Sequence, residues 1–439
     1  MKHEKYSLGY DALRVWARWL HRMIHKRITV AGLVNIPKDK PVIFAPNHQN
    51  ALMDAMAVLL TTKHQPTWLA RADIFKNKFI SRILFFLKMS PVYRIRDGKE
   101  SLGKNDEVFD LSIRVLKNNR SLALFPEAQH TFKRQSAAHK KAVPRIAFMA
   151  EEREDFNLDI HIIPVGLYYD HYYRFNRELI ITFGKPIRVK DFESLHRENP
   201  GAATIALRKE IYNRLVPLTI HIKSRENYEV YETLREIYRN DLSGKIKPQE
   251  RLEFEKAFIR KVEEFEAKSP DEARKLFELA DSYRQKLDHI DVDDKVARKS
   301  WTVLRAIWNA FLSGISFPVF LYGWLNFFLG FHLPSIMVRK KIKDRVFWAT
   351  VEYVAWIIFI PLFLLIQWGI VWAVSGDFWL SIIYLLSLPL FGKLALNLSG
   401  FYRRTLQMIR LAAGGARARS IRYLRRQILE KIERISKSI

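Results

Sequence analysis

From residue 353 to residue 374 the chain runs for 22 residues without a charge, and Gln367 is the one strongly polar break. A stretch of that length covers the hydrocarbon of a bilayer as a helix. A second span, residues 378–399, is interrupted by Pro389 and Lys393. Ser375-Gly376-Asp377 joins the two, so a tight helical hairpin is expected. Before them, residues 306–331 are uncharged over 26 positions but hold Asn309, Pro318 and Asn326. Residues 301–439 therefore read as an α-helical membrane region.

The loops orient it. Arg339, Lys340, Lys341, Lys343 and Arg345 crowd one connection, and eleven Lys/Arg face two Glu after Phe401, while Ser375-Gly376-Asp377 has no cation. Cations mark the cytoplasmic side. Met1 to Gly9 lack the apolar core of a signal peptide, so the N-terminal part is expected in the cytoplasm. Residues 306–331 must then dip in and return, reversing near Pro318, with their backbone buried or lining a cavity. A simple third span is the alternative. In the tail, Ile421, Leu424, Ile428, Ile432 and Ile435 recur at spacings of three and four, with Arg422, Arg425, Arg426 and Arg434 largely off the stripe. Such a helix is expected to lie apolar face down on an anionic leaflet.

Residues 1–30 are expected to hold a similar basic amphipathic helix at 11–28. Leu13, Trp16, Leu20, Met23 and Ile24 repeat at helical spacing among Arg14, Arg18, Arg22, Lys26 and Arg27. It lies either on the bilayer or on the protein's own surface. Residues 31–222 alternate short apolar runs (42–44, 67–70, 122–125, 160–165, 179–183) with helical patterns near 51–60 and 78–87. This predicts an α/β domain with a largely parallel sheet. Residues 223–300 turn to charged helix. There Ser269-Pro270-Asp271-Glu272 reads as a capping box with proline at the first helical position, and residues 288–294 read as an acidic linker.

The net charge of +27 calls for an anionic partner. Much of the excess abuts the apolar spans, which favours anionic membrane lipids over nucleic acid. With no cysteine there is no thiol nucleophile and no Cys-based zinc site. Glu127 and His130 have the Glu-x-x-His spacing of di-iron bundles, but no second copy exists, so no metal is expected. Phosphate-cradling glycine motifs are missing too.

His48 follows the run 42–44, and Pro126-Glu127-Ala128 follows the run 122–125. A base, a carboxylate to orient it and a polar turn at strand ends are the parts of an acyl-transfer site. His48 and Asp54 are six positions apart, about 600° on one continuous helix, which would put them on different faces. His48 therefore belongs to the loop, with a helix starting near Asn50 or Ala51 so that Asp54 reaches back from its first turn.

Asn47-His48 with Asp54, then Phe125-Pro126-Glu127, resembles the glycerolipid acyltransferase family, whose hallmarks are Asn-His, four residues and Asp, then Phe-Pro-Glu-Gly. Five residues separate His48 from Asp54 here, a spacing found in the family's fungal-type glycerol-phosphate/dihydroxyacetone-phosphate branch, and Ala128 stands in place of Gly. Ala128 resists positive φ, so a different turn is expected there. The resemblance implies that His48 is the base and Asp54 its orienting carboxylate. It also implies that Arg94 and Arg96 hold the acceptor's phosphate and that Pro126 presents Glu127 to the acceptor. Ile163-Pro164-Val165 resembles the fourth motif, either a wall of the site or an ordinary buried strand.

The function so implied is a membrane-bound O-acyltransferase at the cytoplasmic face, without a cofactor, whose co-substrate is acyl-ACP or acyl-CoA. Its partners are then acyl carrier protein or the coenzyme A thioester. Lysophosphatidic acid (1-acyl-glycerol-3-phosphate) is the first choice of acceptor, giving phosphatidic acid, with glycerol 3-phosphate or a lyso-aminolipid as alternatives. A non-catalytic, membrane-tethered lipid-binding scaffold is the rival of another class. Oligomeric state is left open by the sequence.

Overall fold

The computed structural model describes residues 6–93, 105–172, 175–242, 244–299 and 303–437. The chain forms two compact units, Met1–His221 and Ile222–Ile439.

The first unit runs α1 (Leu8–Ile24), β1 (His25–Ala31), β2 (Val42–Pro46), α2 (Leu52–Thr61), β3 (Thr67–Arg71), α3 (Lys78–Phe86), β4 (Met89–Val92). It continues with α4 (Asn105–Lys117), β5 (Ser121–Ala123), α5 (Ala142–Glu152), β6 (His161–Tyr169), β7 (Arg177–Phe183), β8 (Ile187–Arg188), α6 (Glu193–Glu198) and α7 (Pro200–Leu215). The sheet order is β1-β7-β6-β2-β5-β3-β4, with β8 on β6. Pairing is parallel except that β6 runs antiparallel to β7 and β8. All five residues of β2 are buried, as a central parallel strand covered on both faces requires. Ile43, Leu122, Ile162 and Ile146 are part of one apolar core.

The N-terminal helix differs from expectation. It ends at Ile24, and the residues after it form β1, paired along β7 from His25 to Ala31. The β-branched run Ile28-Thr29-Val30 favours that extended state. Leu20 and Ile24 are fully buried. The apolar stripe of α1 is thus used inside the domain, the second of its two expected placements.

The second unit comprises α8 (Tyr228–Leu242), α9 (Pro248–Lys268), α10 (Pro270–His289), α11 (Asp294–Ala297), α12 (Val303–Asn326), α13 (Leu333–Lys341), α14 (Trp348–Ser375), α15 (Phe378–Ala413) and α16 (Gly415–Lys437). Pro270 opens α10 as expected, but Ser269 makes no side-chain capping bond. Asp294, expected in a linker, is buried. It accepts from Arg425 Nε at 2.8 Å, Tyr283 Oη at 2.6 Å and Asn240 Nδ2 at 2.9 Å. Removing one partner of such a buried pair typically costs about 3–5 kcal/mol. Ile421, Ile428, Ile432 and Ile435 are buried as α16 packs along α10 and α9. The tail's apolar stripe therefore faces protein, which corrects its expected place on a leaflet.

Helices α12, α14 and α15 are long and apolar enough to cross a membrane. Helix α12 runs antiparallel to α15: Ser316 meets Tyr402, Tyr322 meets Ser387, and Tyr384 donates to Asn326. Close approach needs glycine here, because a Cβ on Gly323 would lie 2.3 Å from the Phe391 carbonyl oxygen. At its far end Asn326 O accepts from Gln367 Nε2 at 2.8 Å. Gln367 precedes the end of α14 by eight residues, about 12 Å of helix. The chain then reverses through a π-helical turn at Phe328–His332, where Phe331 O accepts from Trp356 Nε1 at 2.9 Å. Along α13 it retreats until Arg339 pairs with Glu352 at 2.8 Å, fifteen residues down α14 from Gln367 and about 22 Å away. Helices α12 and α13 thus form a hairpin, with α12 packed along α15 and α13 along α14. The reversal lies at residues 327–332 rather than at Pro318, which sits inside a continuous helix.

If this hairpin enters and leaves one leaflet, cysteines placed at Ser300 and Asp344 will share a side and one at Asp377 will lie opposite. Labelling with an impermeant maleimide checks this in a chain without native cysteine. Outside labelling shared by positions 344 and 377 would be incompatible with the hairpin's placement.

Candidate active site

The site is built at the C-terminal ends of β2 and β5. Asn47 follows β2 and ties its end to β6: its backbone N–H donates to Val165 O, its Nδ2 donates to Leu167 O at 3.2 Å, and its Oδ1 accepts from Leu167 N at 2.6 Å. The loop after it turns sharply, with Ala51 at φ 46° and ψ −128° as the residue before α2. A non-glycine residue in such a conformation costs on the order of 1–3 kcal/mol.

That turn brings three donors to one oxygen. Asp54 Oδ2 accepts from the backbone N–H of Gln49 at 2.7 Å and of Asn50 at 2.6 Å, and lies 3.1 Å from His48 Nδ1. Asp54 is fully buried, whereas the His48 side chain keeps 13% exposure. Bonded through Nδ1, His48 has Nε2 left for a reacting group. Its ring stacks on Phe125 at 3.7 Å and meets His130 edge-on at 5.0 Å.

Pro126 and Glu127 are buried beside it. Neither Glu127 oxygen completes a hydrogen bond among the described residues. Burial pushes its carboxyl up to about 8, opposed by the facing backbone N–H groups of Ala137 and His48 and assisted by the Asp54 charge. At neutral pH this carboxyl is mostly protonated, so it has an O–H to donate. Ala128 occupies the left-handed region at φ 55°, its N–H bonded to Phe125 O at 3.1 Å. The expected change of turn is therefore corrected: alanine adopts the glycine-like geometry, at a cost of about 1–2 kcal/mol.

Arg94 and Arg96 lie outside the described residues. Ile163-Pro164-Val165 sits in the middle of the sheet, paired with Phe44-Ala45-Pro46 of β2. The structure adds residues that no sequence pattern marked. Arg177, at 2% exposure, donates to the carbonyls of His171 and Tyr172, and to the Asn50 side-chain oxygen at 3.0 Å once that amide is turned to face it. Arg134 donates to Tyr169 O at 2.7 Å and lies over the rings of Tyr168 and Tyr172. Tyr172 donates in turn to Gln49. Both arginines brace the loops that carry His48 and Glu127. The one sequence signal for them was their nearness to a strand start or to the Glu127 turn, which many surface arginines share.

The Acyltransferase family model matches residues 27–168. Glycerol-3-phosphate O-acyltransferase 2 of Saccharomyces cerevisiae is 24% identical over 256 residues, covering 55% of this chain and 33% of that protein. The chain thus spans about a third of the length of that relative. A crystal structure of the 1-acyl-sn-glycerophosphate (LPA) acyltransferase PlsC from Thermotoga maritima superposes with a TM-score of 0.34 at 18% identity, covering 46% of this chain and 78% of that one.

A carboxyl raised on folding binds its proton more tightly in the folded state. Its stabilising contribution is complete below the unfolded value near 4.5 and is lost as pH rises through about 8. Glu127→Gln removes this dependence. The variant should gain on the order of 2 kcal/mol relative to the parent between pH 6 and pH 8, read from thermal unfolding at both pH values. Parallel pH profiles would mean that Glu127 is ionised in the folded protein.

Proposed function

Starting from a chain that carries a glycerolipid acyltransferase domain, we propose that it passes a fatty acyl group from an acyl-ACP or acyl-CoA thioester to the hydroxyl of a glycerophosphate, at the cytoplasmic face of a membrane. The observation that supports this best is His48, held by Asp54 through Nδ1 beside the buried Glu127.

In this mechanism His48 Nε2 takes the hydroxyl proton as the acceptor oxygen attacks the thioester carbonyl carbon. Asp54 fixes the tautomer and stabilises the imidazolium that forms. The tetrahedral intermediate collapses with cleavage of the C–S bond, and the thiolate leaves with the proton returned from Nε2. Glu127 offers its O–H to the acceptor's polar end. Arg94 and Arg96 follow a short apolar-aromatic run, and their planar guanidinium groups suit the acceptor's phosphate. Lysophosphatidic acid is our first choice of acceptor, with phosphatidic acid as product. Glycerol 3-phosphate is the second reading, favoured by the name of the yeast relative.

Radiolabelled acyl transfer by the purified full-length protein against glycerol 3-phosphate, lysophosphatidic acid and lyso-aminolipids tests the reading directly. Transfer to none of them would favour the lipid-binding scaffold instead.

His48→Ala and Asp54→Asn should each lower turnover by ~10²–10⁴ without loss of folding or membrane insertion. Near-normal turnover of the His48 variant would remove it as the base. Arg94→Ala should raise the KM for a phosphate-bearing acceptor while donor use stays constant, because binding lost equally from ground and transition states appears in KM. A fall in kcat with every acceptor would point to a structural role for that arginine.

A further inference from the structure

The amphipathic stripes of α1 and α16 turn inward, and a different helix turns outward. No residue of α3 is buried. At 100° per residue, Phe79, Ile83 and Ile80 share one arc about 100° wide. That arc is the exposed one, with 71% of Phe79, 44% of Ile83 and 47% of Ile80 accessible. A helix on a water-facing surface turns its apolar arc toward the core. Here the order is reversed.

The surrounding residues extend the pattern. Ile74 and Phe85 are exposed as well, and Phe75 packs on Phe85 at 5.5 Å, so the turn before α3 and the helix form one body. Asn77 caps the helix, its side-chain oxygen accepting from Phe79 N and Ile80 N at 2.9 and 3.1 Å. Lys78 and Arg82 lie along one side of the apolar arc and Lys76 precedes it, all exposed. Between residues 74 and 88 there is no Asp or Glu. An apolar arc bordered along one side by cations matches the acyl and anionic headgroup layers of a bilayer. The location agrees. Strand β3, which leads into this segment, ends at the same sheet edge as His48 and is two strands from β2, about 10 Å.

We propose that α3 is the interfacial contact through which the acyltransferase unit seats its His48 edge on an anionic bilayer. Phe79, Ile80 and Ile83 enter the headgroup–acyl boundary, and Lys76, Lys78 and Arg82 pair with phosphate-bearing headgroups. The contact holds whatever reaction the site performs, because it rests on α3 alone.

The absence of native cysteine makes the test direct. Phe79→Cys, Ile83→Cys and Asn118→Cys are each labelled with an environment-sensitive fluorophore in the full-length chain. Position 118 is exposed and precedes β5, at the opposite sheet edge from His48. The proteins are placed, one copy per disc, in nanodiscs of phosphatidylcholine with and without phosphatidylglycerol. The probes at 79 and 83 should shift to the blue and be quenched about two-fold or more by shallow nitroxide lipids, with more quenching in the anionic discs. The probe at 118 should be quenched by aqueous iodide instead. Charge reversal of Lys76, Lys78 and Arg82 together should weaken lipid quenching at 83. Iodide quenching at 79 and 83 equal to that at 118 would overturn the proposal. So would a blue shift that needs added acyl carrier protein, or one that appears only with two copies per disc.

Discussion

One buried oxygen organises the catalytic edge. Asp54 Oδ2 receives His48 Nδ1 and the backbone N–H groups of Gln49 and Asn50. For three consecutive residues to face one atom the backbone must curl, and Ala51 takes the strain of that curl. Hydrogen bonds to a charged group contribute about 1.5–3 kcal/mol each, enough to offset it. Asp54 also stands in the first turn of α2, where the helix dipole favours negative charge. The base, the loop and the helix start are therefore one interaction seen from three sides.

The second carboxyl of the site lives in the opposite environment. Asp54 gathers three donors on its Oδ2, while neither oxygen of the buried Glu127 completes a hydrogen bond among the described residues. Burial holds Glu127 toward its neutral, proton-donating form. Two buried arginines brace this edge through bonds to backbone carbonyls. Arg177 fixes the residues around Tyr172 and reaches Asn50, and Arg134 joins the loop after Glu127 to the end of β6.

In the second unit, polar groups inside apolar helices do the same organising work. Asn326 gathers Tyr384 and Gln367 at the far end of the α12–α13 hairpin, so the reversal is anchored to both long helices. A helix terminus in hydrocarbon leaves carbonyls without partners, and side-chain amides and the Trp356 indole supply them. At the other end the Asp294–Arg425 pair fixes α16 onto its neighbours, with the isoleucine stripe sealing the contact.

What the sequence determined by itself was local or periodic. The α/β alternation and the apolar spans follow from side-chain period and length. The placement of His48 outside α2 follows from the angular arithmetic of six residues. The resemblance to the acyltransferase family rested on short motifs whose chemistry is carried by adjacent residues. What only the tertiary structure decided was direction. An amphipathic stripe states that a helix has an apolar face but not what covers it, so α1 and α16 bury theirs in protein while α3 leaves its own uncovered. The reversal at Phe328–His332, the left-handed Ala128 and the bracing by Arg134 and Arg177 were likewise closed to sequence reasoning. Each depends on a partner between 13 and well over a hundred positions away, or on a backbone strain that only such partners can hold.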